Sequence, residues 1–391
     1  MKHSLLALLL FVVTSRAEDP IAIGLRRELF ADRLLIEKME GASLRMHAPQ
    51  PAGVALKFDQ PWEGRFSAYI TVIHDEPAAK FRMYYRGNTG FADGTSGECT
   101  CYAESEDGIR WARPKLGLYE INGSKDNNVM LTNMPPFTHN FAPFLDRRPG
   151  VPADERYEAF AGLGGKFGGL CAFVSGDGIH WQKMQDASVI TKGAFDLQNI
   201  SFWSEAEQCY AAYFRIFTGG GTDEKTWKPI GVRWVSRATS KDFIHWSDAT
   251  PMTSDQPLFD HIYISQTQPY FRAQHLYVAT AARFMQGKAV LDAEQKAHPL
   301  RVANDRVGVV ALAVAGLRDR AGCAFRVELR DVNVGGSAAV EFLAAEFEGV
   351  GEFAGEEAVA FPIGRDAETV VYRGARADAA PEQLDVGIEV A

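Results

Sequence analysis

Three carboxylates in this sequence, Glu63, Asp196 and Asp260, stand where acid–base chemistry could be done. Each lies shortly before a run of aromatic and β-branched residues, and each has neighbours suited to a hydroxyl-rich ligand. Arg65 accompanies Glu63, and Gln198 and Asn199 accompany Asp196. His261, Tyr263 and Gln266 follow Asp260, and His139 with Asn140 precedes a further apolar run at 141–145. Carboxyl groups that act as acid and base, amides that hold hydroxyls and flat rings that hold a sugar face are the parts a saccharide site needs. Glycoside hydrolysis asks for two carboxyl groups across one bond, about 6.5–9.5 Å apart for inversion or about 5–5.5 Å for retention. Glu63 with Asp196 is the preferred pair, and Asp260 is a third carboxylate that would tune a neighbour's pKa. Which member is acid and which base is left open. Each has a plain structural alternative: Glu63 as a loop cap, Asp196 as a turn lock, Asp260 as a solvated loop residue. His139, His261 and Asn140 read as hydrogen-bonding residues rather than metal ligands. No zinc spacing, phosphate-binding glycine loop or nucleophile elbow occurs, so no cofactor is expected, while a structural cation in a central funnel stays open.

Residues so far apart in sequence meet only if the strands that follow them converge, and a repeat supplies the convergence. Ser105-Glu106-Asp107-Gly108-Ile109-Arg110-Trp111, Ser175-Gly176-Asp177-Gly178-Ile179-His180-Trp181 and Ser240-Lys241-Asp242-Phe243-Ile244-His245-Trp246 are three copies of one turn, about 65 to 70 residues apart. Ser and Asp bond nearby backbone N–H groups, Gly accepts a left-handed conformation, and Trp packs into the next strand. The aspartates of these turns read as structural. Upstream of each turn lie short runs such as Phe81-Arg82-Met83-Tyr84-Tyr85, which read as strands. Three strands, the turn and an outer strand make one four-stranded antiparallel sheet, and sheets of that size repeated radially make a β-propeller. The length fits five blades. The expected fold is therefore an all-β five-bladed β-propeller, irregular or incomplete at its C-terminal end, with the residues before each innermost strand meeting at a central funnel. Arg86 and Glu104 could face it from the second and third strands of the first unit.

Residues 1–17 read as a signal peptide: Lys2 and His3, an apolar run at 5–13, then Ser15-Arg16-Ala17. A secreted or periplasmic protein follows, with residues 18–300 as the propeller. Residues 301–391 differ, since Lys296 is the last lysine and Trp246 the last tryptophan. This segment reads as a last blade, a small sandwich or an aberrant sequence, with strands expected near 307–314 and 323–334. A net charge of -9 disfavours nucleic acid and anionic membranes as partners, and no other stretch is apolar and long enough to span a bilayer. A carbohydrate substrate and a monomer are expected. Of the five cysteines, Cys101 and Cys171 hold equivalent places ten residues before a turn Trp and read as small buried core residues.

The turn at 238–246 resembles the blade-end turn of the five-bladed propeller glycoside hydrolases related to invertases and arabinanases. Trp62-Glu63, the run 81–85, residues 155–159 and residues 193–199 resemble a less characterised secreted branch of that group. The resemblance covers roughly residues 28–286 and implies the propeller fold and a glycosidase, with a non-catalytic carbohydrate-binding propeller as the alternative. The invertase nucleophile motif Asn-Asp-Pro-Asn-Gly is absent. Glu98-Cys99 resembles the invertase acid dipeptide but falls in a Gly-rich gap of the first unit.

Overall fold

The structure, a computed structural model, describes residues 22–30, 35–44, 53–64, 67–88, 97–219, 230–254 and 261–284, with strand backbones at 308–316, 324–328, 358–363, 368–373 and 388–390. Residues 1–17, read above as a signal peptide, and Arg65, Asp260 and Cys323 lie outside the described residues. Regular structure among the described residues consists of strands and three short 3-10 turns.

Two strands, β1 (Ala42–Leu44) and β2 (Val54–Lys57), precede the first meander. That meander is β3 (Ala68–Asp75), β4 (Lys80–Asn88), β5 (Glu98–Ser105) and β6 (Val129–Thr132), paired in sequence order. The second is β7 (Ala142–Leu145), β8 (Tyr157–Ala161), β9 (Cys171–Ser175) and β10 (Gln182–Lys183). The third is β11 (Ile200–Ser204), β12 (Cys209–Phe217), β13 (Arg233–Ser240) and β14 (Thr250–Pro251). A short β15 (Thr253–Ser254) then leads to β16 (His261–Tyr270), β17 (Ala273–Phe284), β18 (Gly308–Gly316) and β19 (Ala324–Glu328), which form the fourth sheet with β15 parallel to β19. Finally β20 (Ala358–Ile363) and β21 (Glu368–Arg373) take β2 as a third strand, and β22 (Ile388–Val390) pairs with β1. Strands at 308–316 and 324–328 overlap those expected near 307–314 and 323–334, and they pair into the fourth sheet.

The sheets are held face to face by apolar side chains. Ile73, Tyr84 and Tyr102 of the first pack on Tyr157, Ala159 and Phe173 of the second. Phe144 and Phe160 of the second share a core with Phe202, Tyr210 and Tyr213 of the third and with Ile262 and Tyr277 of the fourth. Leu56 of β2 covers Met83 and Tyr85 on the other face of the first sheet. Aromatic rings bury the largest area per residue, which is why these strands favour them.

The repeated turns are built as the sequence implies. In the first, Ser105 Oγ accepts from Gly108 N at 2.9 Å, Asp107 Oδ1 accepts from Ile109 N at 2.9 Å and Arg110 N at 2.8 Å, and Trp111 Nε1 donates to Gly108 O at 3.1 Å. The N–H of Arg110 is the main cause that holds the Asp107 carboxyl at about 2, with slight burial opposing it. The third turn departs in one respect. Phe243 takes φ +64 where Gly108 has +70 and Gly178 +75. Its ring is fully buried and stacks on Phe160 at 4.8 Å, so packing offsets the left-handed backbone. Cys99, Cys101, Cys171 and Cys209 are buried free thiols.

Candidate functional site

The starts of the innermost strands β3, β7, β11 and β16 come together, and hydrogen bonds between distant sheets show it. Gln198, just before β11, donates from Nε2 to Thr71 Oγ1 of β3 at 2.6 Å and to Ile70 O at 3.2 Å. Its Oε1 accepts from Gln266 Nε2 of β16 at 2.6 Å. Asn140, before β7, donates to Leu197 O at 2.8 Å and exchanges both of its amide functions with the backbone of Gly162. Any side chain at Gly162 would collide with the carbonyl of Gly169. Asn199 donates to Leu197 O at 2.8 Å. Gln198, Asn140 and Asn199 are each about 1 % exposed or less, so these amides join the strand starts rather than face a ligand.

Around this junction lie two carboxylates, each with an arginine from the second strand of its own sheet. Asp196 is one third exposed, and Arg215 of β12 donates from Nη2 to its Oδ1. Arg215 is itself buried, under the rings of Tyr263 (5.1 Å) and Phe217 (5.6 Å). It lines a small cleft with Leu197, Trp234, Ile262 and Tyr263. The second carboxylate is Glu98, the first residue of β5, which is fully buried. His139 Nδ1 lies 2.8 Å from its Oε1 and Arg86 Nη1 3.7 Å from it. The Arg86 guanidinium lies over the Tyr69 ring at 4.5 Å.

Tyr69 joins the two halves. Its hydroxyl donates to Asp196 O at 3.0 Å, and its ring meets the His139 ring edge-on at 5.4 Å. The residue has φ +55 and sits at a bulge in the β3–β4 register. A left-handed backbone is an outlier for a bulky side chain and costs about 1–3 kcal/mol, the kind of strain that gathers at functional sites. His261 and Tyr263 open β16 beside this cluster. Both are half-buried, and the Arg233 backbone N–H donates to His261 Nδ1 at 3.2 Å.

Glu63, one of the preferred pair, is enclosed by the protein. Its side chain has no exposed surface: Arg113 grips it through Nε at 2.8 Å and Nη2 at 3.0 Å, the Tyr85 hydroxyl donates to it at 2.6 Å, and Gln60 N at 2.8 Å. A carboxylate with every acceptor occupied ties the loop before β3 to the segment after the first Trp turn. That arrangement matches the plainer alternative, a loop anchor. Glu104 likewise turns elsewhere, to Lys80 at 3.0 Å and the Tyr102 hydroxyl. Sequence reasoning passed over Tyr69 and Arg215. One signal was available, since Tyr84-Tyr85-Arg86 and Tyr213-Phe214-Arg215 put the same Tyr-aromatic-Arg at matching points of two repeats. Among the described residues no group of three or more metal-ligating side chains occurs, and no helix is long and apolar enough to cross a membrane.

No family model and no curated protein matches the chain. It is similar to solved structures at low identity. A glycoside hydrolase is 14 % identical over 87 % of this chain and 96 % of its own, with a TM-score of 0.49. The endo-arabinase of Bacteroides thetaiotaomicron is 11 % identical over 83 % and 99 %, at 0.47. The α-L-arabinanase of Cellvibrio cellulosa is 9 % identical over 74 % and 93 %, at 0.42.

Proposed function

We propose that the chain is an exported glycosidase-like hydrolase on a five-bladed propeller, with its site where the innermost strands begin. The observation that carries this reading is Asp196, a carboxylate one third exposed at the junction of separate sheets, held in place by a buried arginine that lies over the Tyr263 ring, with the Tyr69 hydroxyl on its backbone carbonyl. Hydrolysis needs a proton delivered to the glycosidic oxygen as its bond to the anomeric carbon breaks. It also needs a carboxylate on the other face that activates water or attacks that carbon. Asp196 is proposed as one of the two groups, oriented by Arg215. Asp260, one residue before β16, is proposed as the other, with Arg65, His261, Tyr263 and Gln266 holding sugar hydroxyls and ring faces. Glu98, buried behind His139 and Arg86, is a positioning group that fixes Arg86 over Tyr69.

A panel of poly- and oligosaccharides offered to the purified protein, followed by Asp196→Asn, tests the proposal. Release of reducing sugar that falls about 10²–10⁴-fold in the variant, with glycan binding kept, is the expected result. Binding without cleavage by the parent protein would instead identify a non-catalytic carbohydrate-binding propeller. Full activity of the variant would remove Asp196 from the chemistry.

A further inference from the structure

At the opposite ends of the strands, the second and third sheets enclose two carboxyl groups and one phenol. Asp146, one residue past β7, is 4 % exposed, and Glu158 of β8 is 1 % exposed. The Tyr210 hydroxyl of β12 lies 2.8 Å from Asp146 Oδ2 and 3.2 Å from Glu158 Oε1. A phenol has one proton to donate, so it serves one of the two. Asp146 is the better-held anion, because its Oδ1 accepts the Arg148 N–H at 2.8 Å and Arg148 Nε lies 3.4 Å from Oδ2. Glu158 Oε2 is buried with no hydrogen-bond partner. The charged and titratable groups that act on Glu158 are Asp146, Arg148 and Glu155 from the β7–β8 connection and Tyr210 from β12. Arg148 is already shared between Asp146 and Glu155.

The first sheet shows what stands here elsewhere. Ile73, two residues before Asp75, pairs with Arg82, and Phe144, two residues before Asp146, pairs with Glu158. Arg82 and Glu158 are therefore equivalent positions. Where the first sheet supplies a guanidinium to its carboxylate, the second supplies an acid.

We propose that Glu158 keeps its proton at neutral pH and donates it to the Tyr210 oxygen, completing a Glu158–Tyr210–Asp146 chain that ties the second sheet to the third and loosens as pH rises. Burial, with the Asp146 charge beside it, pushes the Glu158 carboxyl up to about 9 from 4.5. A group whose folded-state pKa lies above its unfolded value stabilises fully below the unfolded one, here about 4.5. That stability is lost as pH climbs and is gone by about 9.

Glu158→Gln is the discriminating variant, since its amide N–H replaces the acid's donor and cannot ionise. Melting temperatures of the parent, Glu158→Gln and Asp146→Asn, taken between about pH 5 and about pH 9, should show parent and Glu158→Gln close together in acid. The parent should fall progressively below the variant toward alkaline pH. Parallel curves for the two, or a slope removed by Asp146→Asn instead, would overturn the assignment. An infrared titration of the parent gives a readout that needs no variant to fold. A protonated-carboxyl band at neutral pH that disappears near pH 9 and is missing from Glu158→Gln supports the chain, and absence of that band at neutral pH contradicts it. Neither result depends on the catalytic proposal.

Discussion

The same strands end in two different kinds of polar contact, one partly open to solvent and one closed. Where the innermost strands begin, the carboxylates of Glu98 and Asp196 are matched by arginines on the second strands, with tyrosine rings over the guanidinium groups and Asp196 partly open to solvent. Where those strands end, a buried phenol from the next sheet meets a polar side chain: Asp75 accepts from Tyr157, Asp146 accepts from Tyr210, and Tyr277 donates to Glu207 and shares a hydrogen bond with Ser204. Asp75 is wholly buried and also takes Arg82 at 2.8 Å and Arg156. Asp75, Asp146 and Ser204 are essentially closed to a ligand. The first end is the one proposed to bind and react; the second fastens sheet to sheet.

Substitutions at the two ends should therefore fail in different assays. Asp75→Asn strands two guanidinium groups beside a neutral amide. It should cost about 3–5 kcal/mol of stability, the range for breaking a buried ion pair, as read by denaturant unfolding. Its turnover per folded molecule should stay at the parent value, and a stable but inactive Asp75→Asn would erase the distinction. Next in size, Phe243→Ala should lose about 3–5 kcal/mol from the core, less the left-handed strain that alanine also bears. Phe243→Gly should recover part of that loss if backbone strain is present there. Tyr157→Phe should cost about 1–3 kcal/mol, the penalty for leaving a buried acceptor short of a donor. Tyr69→Phe should be smallest in stability, about 1 kcal/mol, yet it should lower turnover because the hydroxyl that fixes the Asp196 backbone is gone. A Tyr69→Phe enzyme with unchanged turnover would detach Tyr69 from the site.

Acid and base should also separate two contacts of the far end. Burial pushes the Asp75 carboxyl up, but Tyr157 and Arg82 outweigh it and hold it below its ordinary 3.8. A depressed carboxyl stabilises above its unfolded pKa and loses that contribution as pH falls below about 3.8. The Tyr157 contact should therefore weaken in acid, and the Tyr210 contact in alkali. Acid unfolding curves of the parent and Tyr157→Phe that superimpose would contradict the first half of this contrast.

How much could be read from sequence follows the range of each interaction. The Ser-x-Asp turns were legible because every bond in them closes within three residues, as from Ser105 to Gly108. The meanders followed from the spacing of those turns. The inter-sheet phenols were not legible, since Tyr157 and Asp75 are 82 residues apart and no local rule joins them. The enclosure of Glu63 was not legible either, since its position before β3 suits a mouth residue while its partner Arg113 lies 50 residues on. Asp196 lies shortly before β11 in the sequence, but the left-handed Tyr69 beside it had no sequence mark: nothing in Ala68-Tyr69-Ile70 distinguishes it from a regular strand.

The most direct measurement is a crystal structure of Asp196→Asn soaked with an oligosaccharide that the parent protein cleaves. The sugar is expected against Tyr69 and Tyr263, with its scissile bond beside residue 196. Sugar bound at the Asp75–Tyr157 end, or on an outer face with the strand starts untouched, would contradict the division of labour between the two ends.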